Sequence, residues 1–394
     1  MTKFIGPQYS IGIGKESTRA TAVAAAYWMP WSSLSIDDKV KFAKDDTSRG
    51  VIEGGVGQEI TTFTSEATLD GIMLDQSFGL ILKALFGTET KTTVESGVDQ
   101  HAFSVSESAQ HPSLTLSVYG PNESSGLAYP LAMLDTLDID FELDKYATYK
   151  AVFKANKNTA QSNTVAFVSE NRFRPQDGLF AIAPTLAGAN GTLAATGTCS
   201  STTAVTGLSI SATTLLQVGM TVTGTNIPAG TTISAIGSAS AITLSQASTG
   251  SATSYTFGPA PVQIKKLSLS FKKNTEDDEV FGTQSPIDRL NKAFGLSGSF
   301  ELYYTDRTMI DTYLLGDLYK AFHVAFANTS VLIGAVSHPT FFLNVAKAKL
   351  SEVARKFDAG KNITMQTVKF DCFFSLSDSE LCDAGLINTN TSVY

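Results

Sequence analysis

The stretch "DTLDIDFELDK" alternates Asp138, Asp140, Glu142 and Asp144 with Ile139, Phe141 and Leu143. In a strand, successive side chains point to opposite faces, so this spacing sets four carboxylates on one face and the apolar residues on the other. Neighbouring carboxylates can bind a calcium ion or share acid/base work. The row lacks the glycine turn and distal glutamate of an EF-hand loop, and acids strung along one strand cannot flank a glycosidic bond. Three readings stand: a solvated sheet face, a negatively charged wall turned towards DNA, and a metal site. The solvated face is the ordinary one and the wall is the sharper hypothesis.

Other candidate chemistry is thin. "IGIGKEST" looks briefly like a phosphate loop, but Tyr9 and Glu16 stand where a Walker loop needs Gly and Ser/Thr, so the stretch reads as a flexible N-terminal arm. His101, His111, His323 and His338 show no metal-ligand spacing. Cys199, Cys372 and Cys382 form no CxxC pair, and Cys372 in "KFDCFF" reads as a buried strand thiol. "MTKFIGPQYSIGIGK" has no apolar signal core, so synthesis in a reducing compartment without disulfides is expected. No G-x-S-x-G elbow occurs. No catalytic residue, cofactor or metal is therefore expected.

The elements that position the acidic row follow from the whole chain. At 394 residues it holds two or three domains, and its 31 glycines and alternating runs favour β structure. No run of eighteen apolar residues suggests a membrane span. A net charge of −8 argues against tight nucleic-acid binding, which needs clustered cations.

The chain repeats itself. "TFTSEATLDGIMLDQSFGLILKALFG" aligns with "SFELYYTDRTMIDTYLLGDLYKAFHV", pairing Phe63 with Phe300, Thr68 with Thr305 and Ile72 with Met309. Upstream, "SSLSIDDKVKF" parallels "KKLSLSFKKN", each followed by an Asp pair, Asp45-Asp46 and Asp277-Asp278. Downstream, "HPSLTLSVYG" parallels "HPTFFLNVAKA", and "FELDKYATYKAV" parallels "FDAGKNITMQTV" with Phe141/Phe357, Lys145/Lys361, Thr148/Thr364 and Val152/Val368 in register. Collinear blocks indicate an internal duplication. Helical spacing predicts one helix per copy, over Ile72–Leu85 and Met309–Phe322, with Asp70 and Asp306 near the starts to meet free N–H groups. Between the copies, residues 178–264 contain no Asp, Glu, Lys or Arg. Short strand patterns and the turn "NIPAGT" predict a small β module inserted in a surface loop.

"IGIGKESTRATAVAAAYWMPW", "SRGVIEGG" and the strand–helix–strand order of each copy resemble siphophage tail tube (major tail) proteins. The block "VGMTVTGTNIPAGTTISAI" is similar to Ig-like modules appended to phage virion proteins. The resemblance implies a mainly β chain: two tandem tube-type β-sandwich or barrel domains, each with one flanking helix, plus the inserted β-sandwich module. The expected boundaries are 1–185, 186–258 and 259–394. It further implies stacked rings forming a hollow tube that conducts DNA without specific binding, made in the host bacterial cytoplasm. Tape measure, tail terminator and distal tail proteins are the implied partners.

Most members of such a family carry one domain and build six-membered rings, so two domains per chain suggest a homotrimeric ring with pseudo-sixfold symmetry, a hexamer being the alternative. Asp138, Asp140, Glu142 and Asp144 become the candidate lumen lining. The segments "DDTSRGVIEGGVGQE" and "TEDDEVFGTQSPIDRLNK", the N-terminal arm and "LINTNTSVY" are candidate ring-to-ring contacts, and the module a candidate for weak glycan contact. A capsid decoration or adhesion protein is the competing reading; a glycan-active enzyme lacks its convergent acids.

Overall fold

The computed structural model describes residues 3–52, 55–162, 164–357, 360 and 363–394. Glu53 and Gly54 of "SRGVIEGG", and Lys361 of the second copy, lie outside the described residues. Alternating sequences fold as antiparallel strands, and the chain is mainly β. The first half runs β1 (Ser10–Lys15), β2 (Tyr27–Met29), β3 (Trp31–Asp45), β4 (Gly57–Ile72), α1 (Phe78–Phe86), β5 (Gly87–Glu95), β6 (Val98–Val105), β7 (Leu114–Gly120), β8 (Glu123–Glu142), β9 (Thr148–Ala155) and β10 (Thr159–Ala160).

β11 (Gly178–Ala183) opens the second half. An uncharged block follows: α2 (Leu186–Ala189), β12 (Leu193–Ser200), β13 (Ala204–Val205), α3 (Ala212–Leu215), β14 (Val222–Thr223), β15 (Ile233–Ser238), β16 (Ala241–Leu244) and β17 (Ser251–Phe257). The half then resumes with β18 (Ala260–Pro261), β19 (Lys266–Lys272), β20 (Thr275–Asp278), β21 (Asp288–Asn291) and β22 (Gly295–Tyr303). A π-helical turn (Met309–Leu314), β23 (Lys320–Ala327), β24 (Thr340–Lys356), β25 (Met365–Cys372) and β26 (Cys382–Asn388) complete it.

The two halves pair their strands by one scheme. In the first, β1 joins β2 and β7, β8 joins β7, β9 and β10, and β4 joins β9 and β3. In the second, β11 joins β18 and β23, β24 joins β23, β25 and β26, and β22 joins β25 and β19. Contacts β8–β19 and β6–β26 fuse the halves. One continuous sheet results, ordered β3-β4-β9-β8-β19-β22-β25-β24. One apolar core spans both halves, including Leu69, Phe78, Leu137, Phe153, Phe271, Phe300 and Phe370.

The uncharged block has a core of its own, built from residues such as Val205, Met220, Ile233, Ile242, Tyr255 and Phe257. Its strands form two three-stranded sheets, β12-β17-β14 and β13-β16-β15. It leaves between β11 and β18, where the first half has only the β1–β2 connection. The "NIPAGT" turn forms as expected: Gly230 takes φ 77°, and Thr231 N–H donates to the Pro228 carbonyl at 3.3 Å.

Several expectations need correction. The N-terminal stretch is no flexible arm: Ile11 and Ile13 are fully buried in β1. Ile72 closes β4, so α1 begins only at Phe78, and Asp70 is a strand residue. Glu170 instead receives the Gln76 and Ser77 N–H groups before α1, at 3.2 and 2.6 Å. The second helix shrinks to the single turn ending at Leu314, and Phe322 belongs to β23; Asp306 does accept from Thr308 N–H at 2.8 Å. His111-Pro precedes the first strand of the β7–β8 hairpin, whereas His338-Pro precedes the second strand of β23–β24. Phe63 lies on the same sheet face as Leu69, but Leu69, not Phe63, pairs with Leu34 as Phe300 pairs with Leu267; Val152 is half-buried on the polar face while Val368 is fully buried, so that match joins opposite sheet faces. A one-residue slip suffices for that inversion. The C-terminal Tyr394 is buried beside Gly79 of α1 and His101, while Thr391, Ser392 and Val393 before it are exposed.

Candidate lumen-facing sheet

The eight-strand sheet buries one face and leaves the other polar, because each strand alternates. Leu69, Ala151, Leu137, Leu269, Phe300 and Val368 point into the core. On the opposite face a row runs straight across all eight strands: Ser33, Asp70, Lys150, Asp138, Ser270, Ser297, Asp371 and Lys349. A neighbouring row carries Thr148, Asp140, Ser268, Ser299, Lys369 and Glu352.

Three of the four expected acids lie together on this face. Asp138 accepts from Ser270 Oγ at 2.6 Å, and Asp140 from Ser268 Oγ. Glu142 accepts from Lys145 Nζ at 2.7 Å and from Lys266 Nζ at 2.5 Å. These ammonium groups, Lys145 first, hold the Glu142 carboxyl down at about 2. Asp144 is not in the row, since β8 ends at Glu142 and Asp144 sits in the exposed turn beyond it.

The face is not an unbroken negative wall. Lys150, Lys154, Lys266, Lys272, Lys349 and Lys369 share it with the acids. Lys369 pairs with Glu352 at 2.7 Å, Lys154 with Asp135 at 3.3 Å, and Lys349 with Asp317. Carboxylates set side by side repel, and interleaved lysines and serine hydroxyls relieve that repulsion. Reading β8 alone misses these cations. The same alternation in "TYKAVFKA" of β9 and "MQTVKFDC" of β25 would have placed Lys150, Lys154 and Lys369. No group of three or more His, Cys, Asp or Glu able to hold a metal occurs among the described residues.

Buried polar side chains brace the sheet. Glu16, from the supposed phosphate loop, accepts from Ser113 Oγ, Thr115 Oγ1 and the Leu131 N–H at 2.6–2.9 Å. Arg289, fully buried, donates to the Leu131 and Ala155 carbonyls and to Asp277 at 2.7–3.0 Å, tying β21 to β8 and β9. Lys273 is buried with its Nζ 2.6 Å from the Ala84 carbonyl in the last turn of α1. Burial, and then the nearby Arg19 charge, push its ammonium down to about 7. The histidines have separate partners: His101 meets Glu89 and the Asn390 carbonyl, His111 the Ser106 carbonyl, His323 Asn344, and His338 the Val331 carbonyl. Cys372 is half-buried, less enclosed than expected; Cys199 and Cys382 are buried, and all three are free.

The sheet has two open edges among the described residues. β3 pairs only with β4, and the Leu350–Lys356 end of β24 only with β25. The β3–β4 tip and the 279–287 loop meet beside it: Phe63 N–H donates to the Gln284 carbonyl at 2.7 Å, and Lys41 pairs with Glu279. Val51, Ile52, Val56 and Phe281 are exposed at these tips. No described helix is long and apolar enough to cross a membrane. The chain matches no curated protein sequence. A family model described as "Phage tail tube protein" matches residues 6–372.

Proposed function

The chain belongs to the phage tail tube protein family, and on that premise we propose that it polymerises as stacked rings into the hollow tube of a long non-contractile tail, conducting DNA during genome ejection. It is a structural protein of the virion. The repeated pairing scheme supports a duplicated tube domain around the module at 186–258; β11, paired with β23, puts the start of the second copy at Gly178, inside the 1–185 stretch expected for the first. Three chains then supply six pseudo-equivalent domains in a ring, with a hexameric ring as the alternative.

One observation carries the reading: a sheet of eight strands with a polar face and two open edges. Open edges invite further strands, and joining copies into a closed barrel removes them. The polar face then lines the lumen, with Asp138, Asp140 and Glu142 in its wall and Asp144 at its rim. Phosphate binding gains its strength from free cations that displace counterions. Lys266, Lys154, Lys349 and Lys369 already hold carboxylates, so passing DNA finds few free ammonium groups. The apolar tips at Val51, Ile52 and Phe281 suit docking onto the next ring, and tape measure, terminator and distal tail proteins are the natural partners at the tube's ends. The uncharged module hangs outside the wall, where its Ser/Thr surface can touch cell-surface glycans weakly.

Negative-stain electron microscopy of purified protein tests the proposal. Tubes or stacked rings are expected. Dispersed single particles at high concentration would count against it and favour a capsid decoration or adhesion role.

A further inference from the structure

The chain contains one junction between its halves that is the counterpart of the junction two copies would make. β8 meets β19 inside the chain, and by the shared pairing scheme β24 corresponds to β8 and β3 to β19. Straight rows fix the correspondence: Leu34–Leu69–Ala151–Leu137 in the first half, Leu267–Phe300–Val368–Val353 in the second. Resting on the ring reading above, we propose that β3 of one copy pairs antiparallel with the Leu350–Lys356 end of β24 of the next, in the register of β8 on β19.

That register is specific. Inside the chain Leu137 faces Phe271 and Phe141 faces Leu267. Carried over, Val353 faces Asp38 of the second copy, Glu352 faces Lys39, Lys356 faces Ser35, and Phe357 lies beside Leu34. Charges then complement each other. Glu352 meets an ammonium, Lys356 lies diagonal to Asp37 on the polar face, and Arg355 diagonal to Asp38 on the other. Neither Asp37 nor Lys356 has a salt bridge of its own among the described residues. Phe357, exposed in the single chain, gains an apolar neighbour.

Barrel geometry accommodates the same register. Following the first row across the internal junction leads from Leu137 to Phe271, four residues beyond Leu267, the counterpart of Leu34. Each set of four strands thus steps the row by four residues. If the junction between copies repeats that step, six sets give a shear equal to the strand number. That ratio is the one found in an eight-stranded barrel of shear eight, whose strands tilt about 36°. A register displaced by two residues breaks the sixfold repeat of the step.

The test uses the full chain with Lys39→Cys and Glu352→Cys together, assembled and then mildly oxidised. Directly opposed residues have Cα separations a disulfide can span, so linking of neighbours into covalent dimers and trimers should exceed, by roughly tenfold, that of Lys41→Cys with Glu352→Cys. Single variants control for Cys199, Cys372 and Cys382. Intact tubes that link equally well in the displaced pair, or in neither pair, overturn the register and leave the ring reading standing. Absence of tubes from the unaltered chain defeats the ring reading itself. Should the cysteine variants not assemble, Asp37→Lys and Lys356→Glu decide the matter: each alone should weaken assembly and the pair should restore it, and no restoration overturns the proposal.

Discussion

Lys273→Met isolates the cost of one buried charge. The Lys273 ammonium sits in the core with its hydrogen bond to the Ala84 carbonyl, and its folded pKa is about 7 against 10.5 for the free side chain. Below pH 7 both folded and unfolded chains carry the proton, so the full penalty applies. Between pH 7 and 10.5 the unfolded chain binds more protons, and stability rises with pH. The shift corresponds to roughly 3–5 kcal/mol, at about 1.4 kcal/mol per pH unit. Methionine keeps most of the stem's volume and removes the charge, but it forfeits a hydrogen bond worth about 1 kcal/mol. The variant should therefore be more stable by about 2–4 kcal/mol at pH 6, with the lead disappearing by about pH 10. Urea unfolding of unassembled chain, followed by Trp28 and Trp31 fluorescence from pH 6 to 10, measures this. Ionisations shared by both proteins cancel in the difference. A difference constant across that range, or a variant weaker throughout, would refute the reasoning.

Two other perturbations test the packing and the division of the chain. Phe300→Ala removes a ring held by Phe180, Phe322 and Phe370, and should lower unfolding free energy by about 3–5 kcal/mol, read as a lower urea midpoint. Deleting residues 186–258 removes a block with its own core, which meets the rest through Ala183, Ala260 and Ala321; tubes should still form in electron micrographs. Their loss would make the module part of the wall, and glycan-array binding no better than that of the deleted chain would end the glycan role.

Period-two alternation made the sheet's two faces readable before any coordinates, and it set Asp138, Asp140 and Glu142 on the polar one. Leu34 and Leu267, matched in the two copies, do stand at corresponding register positions, each opposite a buried residue of the next strand. Phe63 and Phe300 do not: Leu69, six residues beyond Phe63, holds the place of Phe300, an even displacement that keeps the face, whereas Val152 and Val368 are displaced by one residue, which inverts it. The second helix was illegible for another reason. Met309, Tyr313 and Leu314 have helical spacing, but the following Gly316 and Asp317, the latter at φ 56°, end the turn, and Phe322 is drawn into β23. Glu16 and Arg289 could not be recognised as braces, since the strands they tie together through Leu131 and Ala155 lie roughly a hundred residues or more away in sequence. The neutralising lysines were legible in principle, had β9 and β25 been read with the alternation applied to β8.

The mass of an isolated ring tests the central claim most directly. Native mass measurement of rings released from tubes should give three times the chain's 41.8 kDa, so that six four-strand sets close one barrel. A ring of six chains would contradict the pairing of two tube domains within each chain, and a species that never exceeds one chain would contradict the tube itself.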